Sequence, residues 1–454
     1  MAYKGGGIQV KLAVIADDLT GANDTGVQFA KQGLNTTVLF SDTKLQPTHF
    51  SEDVIVLNSD SRALNSGKAY QVVLNLSTQL NKLAVSKVFK KIDSTMRGNI
   101  GPEIDAVMDV FKYKTAFVVP AFPKSNRVTI NGNHYVNGVL LDETEIAHDP
   151  VNPVKESYLP KLLQEQSKRE VEFISISDVR KGKSHLSEKM NALSSGEVSK
   201  IIIVDATTDE ELKMIVEAAE ILPKNFLWVG SAGIAYHLFN TDQRDQLLCK
   251  TQAGDRLPVL VVAGSVNPII NQQIEVLKEK NNVEEIVISP EEFFYEDRRK
   301  REIERIVKAG KALLEKADLV VTTNRERETI NRVKELQRQL GLSNFDVGNT
   351  ISQSMGLIAG RLIESKKICG AVLTGGEIAG ATCKVLNGDG IRVIGEVEAG
   401  IPYGKLFGGL FDGMPLVTKA GAFGTEQALS KALQTIVEVN AHVHNCDLEY
   451  TNIS

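Results

Sequence analysis

The sequence predicts an α/β fold of two domains, each a mainly parallel sheet flanked by helices, and three observations carry that reading. Short β-branched runs alternate with amphipathic helical stretches from one end of the chain to the other, the pattern of strands joined by crossover helices. Apolar runs such as 12–16 and 259–263 stop abruptly at Asp, Gly or Ser, as buried strands do at the rim of a sheet. At 454 residues and 42% hydrophobic, the chain can bury more than one core usually organises.

In order, strands are expected at 12–16, 37–40, 54–58, 85–92, 116–119, 200–205 and 226–229 in the first half, with helices in most gaps. The stretch 126–141 breaks the rhythm with two Asn-Gly pairs, at 131/132 and 137/138, which favour tight hairpin turns and predict an antiparallel flap. Apolar periodicity then lapses between 240 and 257, so the domains are expected at 1–240 and 258–454 with a linker over 241–257. The second half has expected strands at 259–263, 285–289, 319–323, 371–374, 392–397 and 416–419.

A formal net charge of −5 gives no footprint for a polyanion, which argues against nucleic-acid binding. Cys249, Cys369, Cys383 and Cys446 form no CxxC pair and no zinc-like spacing, so free thiols in a reducing compartment are expected. Met1 to Gln9 lacks an apolar run of signal-peptide length and no segment approaches a membrane span, which makes the cytoplasm the expected location, with no membrane partner expected. His442, His444 and Cys446 lie in a polar tail without spaced partners and read as surface.

Strand 12–16 ends in Asp17-Asp18 before Thr20-Gly21, which places two carboxylates where open α/β sheets bind ligands. One of the pair is also a natural cap for the next helix. Strand 54–58 ends in Ser59-Asp60-Ser61-Arg62, bringing a guanidinium to the same rim; its planar fork suits an anionic carboxylate, although an isolated Arg is usually plain surface. The densest polar cluster is 89–99, where Lys90, Lys91, Asp93, Ser94, Thr95 and Arg97 precede a helix opened by Pro102. Phosphoryl transfer to an alcohol needs a carboxylate for the hydroxyl proton and cations for the negative charge, and this loop holds both. The alternative is an ordinary solvated βα loop.

Three glycine turns follow strands in the second half. Gly264-Ser265 opens a long amphipathic helix, whose free N–H groups favour phosphate. Thr374-Gly375-Gly376-Glu377-Ile378 lets backbone approach a ligand closely and offers Glu377 to a metal or ribose. Lys419-Ala420-Gly421 leads through Phe423-Gly424 to the last helix. Each turn could serve only as a sharp connection, but three in one domain imply a nucleotide cleft. No G-x-x-x-x-G-K-[ST] or G-x-G-x-x-G motif stands at these turns, which disfavours a P-loop enzyme and a conventional dinucleotide binder.

The run Ile15-Ala16-Asp17-Asp18-Leu19-Thr20-Gly21-Ala22-Asn23-Asp24-Thr25-Gly26, then Lys91-Ile92-Asp93-Ser94-Thr95 with Arg97-Gly98, then Leu373-Thr374-Gly375-Gly376, resembles the four-carbon acid sugar kinase family over nearly the whole chain. The continuation 23–28, the flap with Val136-Asn137-Gly138, and Lys419-Ala420-Gly421 before Phe423-Gly424 are most similar to the branch acting on D-threonate. D-erythronate and 3-oxo-tetronate are the alternative substrates. The resemblance implies an amino-terminal sugar-acid domain and a carboxy-terminal ATP domain; an active site in the cleft between them is expected, and Mg2+ is expected with ATP because it bridges and neutralises phosphate oxygens. A homodimer is the expected assembly.

By the same resemblance, Asp17, Arg62, Lys91, Ile92, Asp93 and Ser94 contact the acid, with Arg97 beside them. Ser265, Gly375, Gly376, Glu377, Ile378 and Gly421 contact ATP, with Gly424 a second candidate near Gly421. The expected catalytic base is Asp93 or Asp17, and no dedicated metal cage is visible. Two rival readings remain: a non-catalytic sugar-acid sensor, against which the second glycine-lined cleft argues, and a nicotinamide-dependent oxidoreductase, against which the missing dinucleotide fingerprint argues.

Overall fold

A computed structural model describes residues 10–41, 43, 45–46, 52–83, 85, 87–149, 151–223, 225–239, 256–265, 267–365, 368–421 and 423–451, with side chains described as far as residue 440. The chain divides into two compact units, Met1–Gln243 and Arg244–Ser454. The expected linker lies mostly at 240–255, outside the described residues, as do Cys249 and the side chains of His442, His444 and Cys446.

Among the described residues of the first unit, eight strands pair in parallel throughout: β1 (Leu12–Ala16), β2 (Thr36–Leu39), β3 (Val54–Asn58), β4 (Val88–Lys91), β5 (Thr115–Val119), and, after the flap strands β6 to β8, β9 (Glu170–Ile174), β10 (Lys200–Val204) and β11 (Leu227–Gly230). Their order is β2-β3-β1-β4-β11-β5-β10-β9. β1 is buried along its whole length, as an uninterrupted apolar run must be when helices cover both faces of a sheet. It pairs with β3 on one side and β4 on the other, in a register that sets Ala16 beside both Asn58 and Lys91. The loops after these three strands therefore leave from one level of one rim, on opposite sides of β1. Such a divergence opens a crevice at the carboxyl ends of the strands.

The flap is present as expected: β6 (Arg127–Ile130), β7 (Asn133–Val136) and β8 (Val139–Leu140) form a separate antiparallel sheet. Both Asn-Gly pairs turn with positive φ at each residue, 51° and 77° at Asn131-Gly132 and 53° and 81° at Asn137-Gly138. That geometry matches the right-handed twist of the flanking strands, which is why Asn-Gly is favoured there.

In the second unit, β12 (Val259–Ala263), β13 (Val283–Ile288), β14 (Asp318–Thr323), β15 (Gly370–Thr374), β16 (Gly390–Glu398), β17 (Ile401–Phe407) and β18 (Pro415–Lys419) are ordered β13-β14-β12-β15-β18-β17-β16. The first five in that order run parallel, while β17 is antiparallel to both its neighbours. Ala263 is level with Thr374, and Thr374 with Lys419, so the three glycine turns emerge side by side. A core of Val259, Val261, Val372, Val417, Ile270, Ile274, Leu277, Leu429, Leu433 and Ile436 packs this sheet against the helices Ile269–Lys280 and Ala428–Thr451. Each fully buried Leu or Ile contributes about 1.5–3 kcal/mol, which fixes the strand ends that carry the turns.

Candidate active site

At the rim of β1, two adjacent carboxylates take different roles. Asp18 caps the helix Leu19–Lys31, its Oδ1 accepting from the Gly21 amide at 2.8 Å. Asp17 is 3% exposed and points at Arg62. The loop after β3 reaches them because the Ser61 and Arg62 amides donate to the Asp17 carbonyl at 3.0 and 3.2 Å. Arg62 then donates from Nε and Nη2 to Asp17 at 2.7 and 2.9 Å, and from Nη1 and Nη2 to Asp18 at 2.7 and 2.8 Å. Four of its five N–H groups are thereby used.

Burial works against ionisation here, and the outcome differs for the two acids. For Asp17 the charge and hydrogen bonds of Arg62, with Lys90 and Lys91 behind them, overcome burial and hold the carboxyl below its usual range. At Asp18, burial together with the charges of Asp17 and Asp93 wins over Arg62 and raises it. Arg62 itself is buried, yet the three surrounding carboxylates lift it well above its ordinary value.

The polar cluster after β4 sorts into buried support and available groups. Lys90 is fully buried, bound to Glu103 at 2.7 Å and donating to the Ile15 and Lys91 carbonyls. Glu103 also accepts from Ser61 Oγ at 2.6 Å. This ion pair ties β4, β1, the loop after β3 and the helix Ile100–Phe111 together beneath the rim. Lys91 Nζ donates to the Ile92 carbonyl at 2.9 Å and, among the described residues, forms no ion pair. Asp93 Oδ2 accepts from Thr95 Oγ1 at 2.5 Å and from Arg97 Nε at 2.6 Å, while Oδ1 has no partner among the described residues. Burial would raise this carboxyl, but Arg62, Arg97 and the two hydrogen bonds carry it far below the ordinary range. One oxygen of a firmly ionised carboxylate is thus left to accept a proton or hydrogen bond.

The flap closes over this loop through two contacts that sequence reasoning missed. Arg127 Nη1 donates to Ser94 Oγ at 2.6 Å. His134, fully buried, meets the Ser94 carbonyl through Nε2 at 2.9 Å and Thr129 Oγ1 through Nδ1 at 3.0 Å. A carbonyl only accepts, so Nε2 carries the proton and Thr129 donates to Nδ1. Burial pushes the imidazole down to about 4, keeping it neutral. The Lys-Lys pair inside a buried strand was a readable sign that an acid such as Glu103 must lie beneath it; nothing local marks Arg127 or His134.

In the second unit, the expected nucleotide residues gather at the ends of β12, β15 and β18. The Gly375 amide donates to the Lys419 carbonyl at 2.7 Å, fastening two of the turns together. Gly375 has a φ of 107°, a conformation that other residues rarely adopt, and opens the helix Gly376–Val385. Gly421 lies against Ser265, and any β-carbon at 421 would run into the serine hydroxyl. Ile378 covers Gly264 and Gly375, and Glu377 Oε2 accepts from Ser352 Oγ at 3.0 Å. The Gly424 carbonyl is turned toward Gln273 Nε2 at 3.3 Å, a structural use for the second candidate.

Lys419 is the residue missed here. It is 2% exposed, among the described residues its Nζ donates only to the Ala420 and Gly421 carbonyls at 3.0 and 3.1 Å, and burial lowers it to about 8 despite the charge of Glu398. An ammonium buried among glycine turns, with no carboxylate in ion-pair contact among the described residues, suits a phosphate. For magnesium, the described residues contain no group of three or more His, Cys, Asp or Glu side chains able to hold a metal. This donor set fits an ion that binds mainly through nucleotide phosphates, with Glu377 the carboxylate at the turn.

Family models match both units: a sugar-binding N-terminal domain over residues 12–238 and a nucleotide-binding C-terminal domain over 260–429. The D-threonate kinase of Salmonella typhimurium is 36% identical over 95% of this chain and 99% of its own length. The chain belongs to the four-carbon acid sugar kinase family. Other family members similar to it are the D-erythronate kinase of Heliobacterium modesticaldum, 31% identical over 92% of this chain and 95% of its own, and a 3-oxo-tetronate kinase of Burkholderia multivorans, 27% identical over 94% and 97%. Two solved structures share the fold: a Salmonella typhimurium LT2 protein with a TM-score of 0.76 at 23% identity, covering 93% of this chain and 98% of that one, and a Haemophilus influenzae protein with 0.73 at 24%, covering 92% and 98%. No helix among the described residues is long and apolar enough to cross a membrane. Cys369 and Cys383 are buried free thiols, with burial raising them to about 11 and about 12.

Proposed function

We propose that the protein is an ATP-dependent kinase that phosphorylates the 4-hydroxyl of D-threonate. The observation that carries this is Asp93, ionised and with Oδ1 open among the described residues, on the same loop as Lys91, whose Nζ forms no ion pair among them. A short anionic polyol presents a carboxylate for cations and hydroxyls for carboxylates, and this rim offers both kinds of partner. The family relatives named for D-threonate support that acid over its neighbours.

In this reading, Lys91 and the remaining N–H of Arg62 draw the anionic end of the acid to the rim. Asp93 Oδ1 accepts from the terminal hydroxyl and takes its proton as the bond to phosphorus forms. A carboxylate this acidic is a weak base, which suffices because the transferring phosphoryl group needs little prior deprotonation of the nucleophile. Asp17 has both oxygens bound by Arg62 and serves as a fixed counter-charge, so Asp93 is the better base. On the nucleotide side, Gly375, Gly376 and Gly421 allow close backbone approach, Ser265 supplies a hydroxyl, and Lys419 offsets phosphate charge. Magnesium bound with ATP supplies further neutralisation of the phosphate oxygens.

The test is ADP release by a coupled assay over D-threonate, D-erythronate, their L-forms and 3-oxo-tetronates. Highest kcat/KM with D-threonate is expected. Preference for another acid moves the assignment within the family, and binding of acids without ADP release would favour a sensor.

A further inference from the structure

Among the five described cations at and just beneath the first unit's rim, three are committed to carboxylates: Arg62 to Asp17 and Asp18, Lys90 to Glu103, and Arg97 to Asp93 and Asp149. Arg127, at the start of β6, is not. Its Nη1 goes to Ser94 Oγ, and among the described residues its side chain makes no other hydrogen bond or ion pair. Nε is buried without a partner. The unfilled edge is therefore the side holding Nε and Nη2, the same edge with which Arg62 grips Asp17 through two parallel bonds.

We propose that Arg127 is the principal receptor for the substrate carboxylate, taking it in a two-bond fork through Nε and Nη2. The inference rests on the four-carbon acid reading and adds a residue that neither the motifs nor the family resemblance assigned. Arg62 has one N–H left and cannot form such a fork, while Lys91 is a point charge that attracts an anion without orienting it. Arg127 orients it, because a planar fork fixes the plane of the carboxylate. Its place is set by Ser94, one residue from Asp93, and the negative charge of Asp93 acts on it directly. The acid's two ends would thus be read by neighbouring residues, the carboxylate by Arg127 and the far hydroxyl by Asp93. The flap also becomes part of the specificity site: His134 and Arg127 both dock on Ser94, so carboxylate binding and flap position are coupled.

The experiment compares the wild type with Arg127→Gln and Arg127→Lys. Affinity for D-threonate and for the neutral D-threonamide is measured by calorimetry, with an unreactive ATP analogue present, alongside KM and kcat from ADP release. Arg127→Gln is expected to weaken D-threonate by about 100-fold, the scale of two charge-assisted hydrogen bonds, and to raise its KM in step. Its KM for ATP and its affinity for the amide should change by less than about threefold, and Arg127→Lys should recover about tenfold by restoring charge without the fork. Unchanged D-threonate affinity, or equal losses for acid and amide, would overturn the assignment, the latter by reducing Arg127 to a support of the flap. A wild type that binds D-threonate through Arg127 yet releases no ADP would count against the kinase reading and leave the carboxylate receptor standing.

Discussion

Replacing Asp93 by Asn separates the chemistry of this residue from its structural work. Asp93 Oδ2 accepts from Thr95 at 2.5 Å and Arg97 at 2.6 Å, and those two donors can only meet the carbonyl oxygen of an asparagine. The amide NH2 is then forced to the Oδ1 side, where it donates to a substrate hydroxyl that must itself donate. The substitution removes the negative charge and reverses the hydrogen bond in one step. Loss of a positioned acid–base group costs about 10²- to 10⁴-fold in kcat, equivalent to about 3–5 kcal/mol of transition-state stabilisation. The fold should survive, because Arg97 keeps Asp149 at 3.2 Å and the exchanged groups are nearly equal in volume; a stability loss of about 1–3 kcal/mol is expected from the weakened hydrogen bonds. Steady-state ADP release by the purified variant, with circular dichroism to confirm the fold, reads both quantities. Turnover within about threefold of wild type in a folded variant would refute the role and transfer it to Asp17.

Further outcomes follow from the same contacts. Lys419→Met should raise the KM for ATP by about 10- to 100-fold while D-threonate binding is unchanged. In the wild type, ATP affinity should fall as pH rises above about 8, because the empty site's ammonium deprotonates there; a flat affinity through that range, measured calorimetrically, contradicts a phosphate role. Gly421→Ala should weaken ATP by roughly tenfold, since the new methyl group meets Ser265, and leave acid binding alone. His134 titrates at about 4 when folded against about 6.5 unfolded, so the unfolded chain takes the proton first. Its contribution is complete above about pH 6.5, shrinks as pH falls toward about 4 and then levels off, amounting to about 3 kcal/mol. Urea denaturation followed at Trp228, the sole tryptophan and a residue of β11, reports this unit; His134→Gln should flatten its pH dependence, and parallel slopes would contradict the assignment.

What was readable in the sequence was whatever short-range chemistry dictates. The apolar run 12–16 is the buried strand expected, and Asp17-Asp18 after it lie at its rim. Two Asn-Gly pairs specified the flap turns, since few residues tolerate the positive φ they require. β9 escaped notice because Glu170 and Glu172 interrupt it; it is an edge strand with one face toward solvent. β17 was not among the expected strands; it holds Pro402 and Gly404, residue types that weaken a strand, and it is built by pairing with β16 and β18. Expected strand 85–92 shortened to 88–91 and 285–289 moved to 283–288, boundary shifts that pairing partners decide. At the candidate site, Asp17, Arg62, Lys91 and Asp93 were visible because each stands at the end of a strand or in the loop that follows one. Arg127, His134 and Lys419 were not, because their significance lies in which partners they lack or find across 30 or more positions of chain.

The most direct measurement is phosphorus NMR of the intact protein incubated with ATP, Mg2+ and D-threonate. A phosphomonoester resonance coupled to the C4 methylene protons should grow in step with ADP. Free inorganic phosphate as the sole product, or ATP left intact while D-threonate is bound, would contradict phosphoryl transfer to the acid.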